Sequence, residues 1–157
     1  MKRASKIMLI GLLAAVAAMP AAAPAQNSSR PERVRAGPAV PPPPAGMGQI
    51  VFYRSSRMGW AISCRVHENG QVVNRLPPGK YFVHQTTPGA HEYSVRSEST
   101  DLLRVEVEEG ETQYVRCAIG MGIGVGRPNL SPQNREDFDR RGRGLDLLPP
   151  YVAESDD

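Results

Sequence analysis

From Gly48 onward apolar and polar side chains alternate in short runs broken by Gly, Pro and Asn, the period of half-buried β-strands rather than of helices. The first run is 49–54. The second, 60–67, sets Trp60, Ile62, Cys64 and Val66 on one face and Ala61, Ser63, Arg65 and His67 on the other. Glu68-Asn69-Gly70 then reads as a tight turn into 71–76, because an Asn-Gly pair accepts positive φ at little cost. Pro77-Pro78-Gly79 ends that run. Runs 80–86 and 90–97 flank Thr87-Pro88-Gly89, and runs 102–107 and 112–118 flank Glu108-Glu109-Gly110-Glu111, so each pair is predicted as a hairpin. The alternation points Leu103, Val105, Val107, Val115, Cys117, Ile119, Tyr93 and Val95 inward as one core. The fold class predicted is all-β, a small antiparallel β-sandwich.

The N-terminus has a different pattern. Lys2, Arg3 and Lys6 precede an apolar run over 7–18, and Ala23-Pro24-Ala25 follows, the three-part form of a secretory signal peptide cleaved after Ala25. A membrane-spanning helix needs about 20 apolar residues, which no stretch of the chain supplies. Gln26 stands where a lipoprotein would carry its acylated Cys, so the mature chain is expected to be exported to the periplasm or beyond, without a lipid anchor or transmembrane segment. Residues 26–46 hold six prolines from Pro31 to Pro44 and are predicted as an extended spacer, with a ligand for a proline-binding groove as the alternative.

Charge changes the picture little. The chain has 19 Lys and Arg against 16 Asp and Glu, and the excess lies wholly in Lys2, Arg3 and Lys6. The mature chain is formally neutral, which gives no electrostatic case for nucleic acid as a partner.

The folded region, about 48–127, is short enough for burial to be marginal. Its two cysteines, Cys64 and Cys117, both fall on apolar faces. In an oxidising compartment they are expected to pair, and closing so long a loop contributes ~4 kcal/mol. Two buried thiols are the alternative.

Candidate chemistry is sparse. Gly120, Gly122, Gly124 and Gly126 alternate with Met121, Ile123 and Val125; this matches neither a dinucleotide fingerprint nor a P-loop and predicts a strand with one bare face. Such a face could receive a partner strand or be covered by an aromatic ring of the same domain. His84 and His91 flank the Pro88-Gly89 turn and His67 lies apart, too few ligands for a metal centre. No nucleophile motif occurs, and Glu106, Glu108, Glu109 and Glu111 read as a solvated turn. No cofactor and no catalytic residue is assigned. Toward the C-terminus, Ser131 as N-cap and Pro132 at the first helical position predict a short helix over 131–141. Arg135, Arg140, Arg141 and Arg143 are balanced by Glu136, Asp137, Asp139 and Asp146, while Phe138, Leu145, Leu147 and Leu148 are placed to pack back on the sandwich. The acidic end, Glu154 to Asp157, is expected to be loose.

The stretch GQIVFYR, the turn at Asn69-Gly70, Gly79-Lys80-Tyr81-Phe82-Val83, Pro88-Gly89-Ala90-His91, the run from Val105 to Gly110, Tyr114-Val115-Arg116 and Gly126-Arg127-Pro128 together resemble domain of unknown function family 2846 over about residues 47–130. That family occurs in bacterial envelope proteins and lipoproteins. The resemblance implies a small β-sandwich of transthyretin-like or immunoglobulin-like general architecture that presents loops to partners, and it brings no catalytic residues with it. The expected function is therefore a non-catalytic interaction or structural module of the cell envelope, with Arg57, Met58, Trp60 and the glycine run from Gly120 to Gly126 as candidate contacts. A glycan or cell-wall binder is the alternative and would need Trp60, Tyr53 or Tyr114 on an open face. A small hydrolase using His84 or His91 with a neighbouring acid is the third reading.

Overall fold

The computed structural model describes residues 37–96, 100–121 and 126–152; the predicted signal peptide, the first part of the predicted spacer and the acidic tail lie outside the described residues. The elements are β1 (Gly48–Arg54), β2 (Cys64–Glu68), β3 (Gln71–Leu76), β4 (Lys80–Thr86), β5 (Gly89–Arg96), β6 (Thr100–Val107), β7 (Thr112–Gly120), β8 (Arg127–Gln133), α1 (Arg135–Arg141) and β9 (Asp146–Leu147). They form two sheets, one ordered β8-β7-β1-β4-β9 and the other β3-β2-β5-β6. The predicted β-sandwich is present.

Two of the predicted hairpins do not form. β4 belongs to the five-stranded sheet and β5 to the four-stranded one, so Thr87-Pro88 carries the chain across the sandwich instead of folding it back. The same is true of β6 and β7 around Gly110. Within the five-stranded sheet β7 runs parallel to β1, with Phe52 beside Val115, while β4 is antiparallel to β1, with Phe52 beside Phe82. That sheet is mixed rather than antiparallel throughout. The hairpins that do form are β2-β3, β5-β6 and β7-β8. The first turns at Asn69 (φ 48°) and Gly70 (φ 85°), as an Asn-Gly pair favours.

The main core lies between the sheets. Ile50, Phe52, Phe82, Val115, Cys117, Ile119 and Leu130 of one sheet meet Cys64, Val66, Leu76, Tyr93, Val95 and Val107 of the other. Every inward position expected from alternation belongs to this cluster, with Leu103 and Val105 at its partly buried margin. Cys64 and Cys117 form a disulfide that joins β2 to β7, and so staples one sheet to the other.

A second apolar cluster covers the outer face of the five-stranded sheet. Phe138 of α1 is fully buried and packs against Tyr53, Tyr114 and Tyr81 at ring-centroid distances of 5.2, 5.3 and 5.6 Å. β1 is thus covered on both faces, which is why Ile50-Val51-Phe52-Tyr53 runs without polar alternation and Gln49 and Arg54 at its ends are buried too. Leu145 joins this cluster and Leu148 the main core, whereas Leu147 stays exposed. From Gly37 the predicted spacer is no free tether: Val40 packs on the second cluster and the carbonyl of Pro41 accepts a 2.7 Å hydrogen bond from Gln49 Nε2.

Two element boundaries also move. The helix begins after Asn134, whose side chain caps the Asp137 amide at 2.8 Å, while Ser131 and Pro132 belong to β8. β8 is an edge strand, where the absent N–H of Pro128 and Pro132 is tolerated. The predicted glycine strand falls only in part on described residues. β7 ends at Gly120, β8 starts at Arg127, and Gly120 pairs with Arg127 as the chain reverses between them; Gly122 and Gly124 lie outside the described residues.

Candidate functional site

Arg54 ends β1 with no exposed surface. Burial pushes the pKa of its guanidinium down. Its two terminal nitrogens are held by the loop that follows, Nη2 donating to the carbonyls of Met58 at 2.9 Å and Gly59 at 2.8 Å and Nη1 to that of Ile62, while Nε is buried with no hydrogen-bond partner among the described residues. These bonds fix a turn over 58–61, closed by the Ile62 amide donating to Gly59 O at 2.9 Å. Gly59 takes φ +64°, and a Cβ there would lie 2.9 Å from Ile119 Cγ2, so both conformation and space call for glycine.

This turn replaces the first half of the predicted second strand. Trp60 is therefore not on a core-facing strand position but 81% exposed, with Met58 exposed beside it and Arg57 exposed one residue earlier. Ile62 alone of that segment packs against the core.

The glycine run meets the same loop. A Cβ on Gly126 would lie 2.5 Å from Ile119 and 2.9 Å from Ile62, so Gly126 serves close packing of the β7-β8 link against the 58–62 loop, and the covering groups are isoleucines, not an aromatic ring. Gly120 meets nothing closer than the Arg127 carbonyl at 3.7 Å. Met121, next to it, is 91% exposed. Two sets of candidates separated by some sixty positions thus lie on neighbouring segments, which meet where Ile119 packs against Gly59 and Gly126, and Met58, Trp60 and Met121 are exposed apolar side chains that those segments carry. Met121 enters this group only through the structure.

The histidines that flank the Pro88-Gly89 turn converge on an acid that alternation does not single out. Glu68 accepts from His84 Nε2 at 2.9 Å and lies 2.7 Å from His91 Nδ1, and Tyr93 donates its hydroxyl to the same carboxylate at 3.2 Å. Burial alone would raise the Glu68 pKa, but the hydrogen bonds from His84 and His91 outweigh it and hold the carboxyl below its ordinary value. Desolvation and the Glu68 charge push the Tyr93 phenol upward. Because His84 sits on β4 and Glu68 on β2, their contact ties the two sheets together.

Thr86 Oγ1 stands 3.2 Å from both ring nitrogens of His91. A hydroxyl equidistant from the two lies off the in-plane direction of either. Nε2 also lies 2.8 Å from Thr87 O, a carbonyl that can only accept, so this nitrogen donates and is not free to take a proton from Thr86. The constellation has the residues of a relay without its geometry. Among the described residues no group of three or more His, Cys, Asp or Glu is arranged to hold a metal ion. Tyr53 and Tyr114, the other rings a sugar platform would need, are buried under α1; the Tyr53 hydroxyl donates to Asp137 at 2.5 Å.

The chain belongs to the protein of unknown function family DUF2846, whose model matches residues 44–127. That match spans the sandwich from β1 to the start of β8. An uncharacterized protein of Haemophilus influenzae is 27% identical over 136 residues, covering 86% of this chain and 77% of the relative. No solved structure matches the chain. No described helix is long and apolar enough to cross a membrane.

Proposed function

We propose that this domain is an exported, non-catalytic protein-interaction module of the bacterial cell envelope that docks a partner protein through the exposed apolar side chains of Met58, Trp60 and Met121. The observation that carries this reading is the exposed Trp60 on a turn whose carbonyls are held by the buried Arg54. A large aromatic ring kept in water on ordered backbone is the usual anatomy of a binding hot spot, since little conformational freedom remains to be lost on docking. Export is supported by the signal pattern and by the disulfide, which persists in oxidising compartments. A protein partner is favoured over a glycan because Trp60 is accompanied by the exposed Met58, a side chain that adapts to apolar protein surfaces, while Tyr53 and Tyr114 are covered.

The test is cross-linking in intact producing cells, followed by envelope fractionation and mass identification, with wild type beside Trp60→Ala. The disulfide and circular dichroism serve as controls for folding. One recurrent envelope protein joined to wild type and lost from the variant supports the reading. The same adducts in both, or release with the soluble contents and no reproducible adduct, overturns it.

A further inference from the structure

The outer face of the four-stranded sheet holds a separate arrangement. Val66 and Val95 pair between β2 and β5 with their side chains in the core, so the adjacent residues Arg65 and Arg96 stand side by side on the opposite, solvent face. Arg75 of β3 pairs with Arg65 from its other side. Like charges set opposite one another across strands are destabilising unless something neutralises them. On this face Arg104 has its carboxylate, Glu92 at 3.1 Å. Among the described residues neither Arg65 nor Arg96 has an ion pair or a hydrogen bond from its guanidinium.

These two arginines line an open cavity of about 370 Å³ together with Ser63 and His67. Each of these four side chains can donate a hydrogen bond, and among the described residues no carboxylate lines the cavity. His67 is 8% exposed, and its Nδ1 is buried with no hydrogen-bond partner among the described residues, so the protein leaves polar capacity unused at this point.

We propose that Arg65, Arg96, His67 and Ser63 form an oxyanion site that binds a single phosphate group. Guanidinium forks match phosphate oxygens in paired hydrogen bonds, and the cavity admits a small anion from solvent. Two free guanidiniums suit one phosphate group, not the long row of backbone phosphates that a nucleic acid presents. The group is supplied either by a soluble phosphate or by a phospholipid head group, and both use the same donors.

The test is a titration of the disulfide-intact protein with inorganic phosphate at constant ionic strength set with sodium chloride, followed by NMR of the arginine Nε and histidine ring signals. Co-sedimentation with vesicles of phosphatidylglycerol and phosphatidylcholine, against pure phosphatidylcholine, runs in parallel. Saturable shifts at Arg65, Arg96 and His67, weakened roughly tenfold or more in Arg65→Gln and in Arg96→Gln, are expected. Phosphate binding without vesicle binding assigns a soluble phosphate; vesicle binding that requires both arginines assigns a head group. Absence of both responses, or responses unchanged in the double variant, overturns the proposal. Unchanged amide spectra away from β2 and β5 establish that the variants are folded.

Discussion

Arg54 and Gly59 are joined by a 2.8 Å hydrogen bond from a fully buried guanidinium to a main-chain carbonyl, and this contact fixes which way Trp60 faces. A charged group is expensive to bury, and here its hydrogen bonds go to backbone carbonyls rather than to a carboxylate. The turn and the arginine therefore depend on each other: without Arg54 the carbonyls of Met58 and Ile62 lose the donor it supplies, and that of Gly59 keeps only the Ile62 amide.

Replacing Arg54 by methionine should cost about 1.5–3 kcal/mol, the range for hydrogen bonds to a charged group. The same change should free the turn. Trp60 is the single tryptophan of the chain, so its fluorescence anisotropy reads the loop directly and should fall in the variant. Unchanged anisotropy would show that the loop is ordered by other contacts.

The disulfide between Cys64 and Cys117 links positions 53 apart in sequence and crosses the sandwich. Replacing both by alanine should lower unfolding stability by ~4 kcal/mol, measured by denaturant titration. Reductant should have the same direction of effect on wild type and none on the variant.

Phe138 supplies the cover for the outer face of β1. Truncation to alanine should cost about 3–5 kcal/mol and expose Tyr53, Tyr81 and Tyr114, which increased accessibility to tyrosine-modifying reagents would report.

Acid should weaken the fold through two carboxylates. Glu68 is held below its ordinary value against burial by His84 and His91, and Asp137 likewise by Tyr53, Arg141 and Arg140. A lowered folded-state pKa contributes stability that is present above the unfolded-state pKa and is lost as pH falls through the folded-state value. Denaturant midpoints should therefore drop as pH falls below the ordinary carboxylate range. In Glu68→Gln the drop should be shallower, because one of these two lowered carboxylates is then gone.

Much of the sandwich was legible in the chain, because period-two alternation in a thin two-layer protein maps directly onto inside and outside. It placed Val115, Cys117, Tyr93 and Val95 in the core and brought Cys64 to Cys117. Alternation does not say which sheet a strand joins. Thr87-Pro88-Gly89 is equally good chemistry for a hairpin and for an arch between layers, and the choice falls to contacts far along the chain. Pro132 misled for a related reason, since its missing donor suits both a helix start and an edge strand. Of the site, Trp60 and Met58 were visible as residue types, but not their support. Arg54 at a strand end reads as a solvated charge, and Glu68 meets His84 and His91 only across 16 and 23 positions.

The most direct test of the account is the solvent access of Trp60 in the cell. Hydroxyl-radical footprinting of intact producing cells should show Trp60 and Met58 protected relative to the purified protein, with Leu102, exposed on the far sheet, modified equally in both. Equal modification of Trp60 in cells and in isolation would contradict a docking role for these side chains.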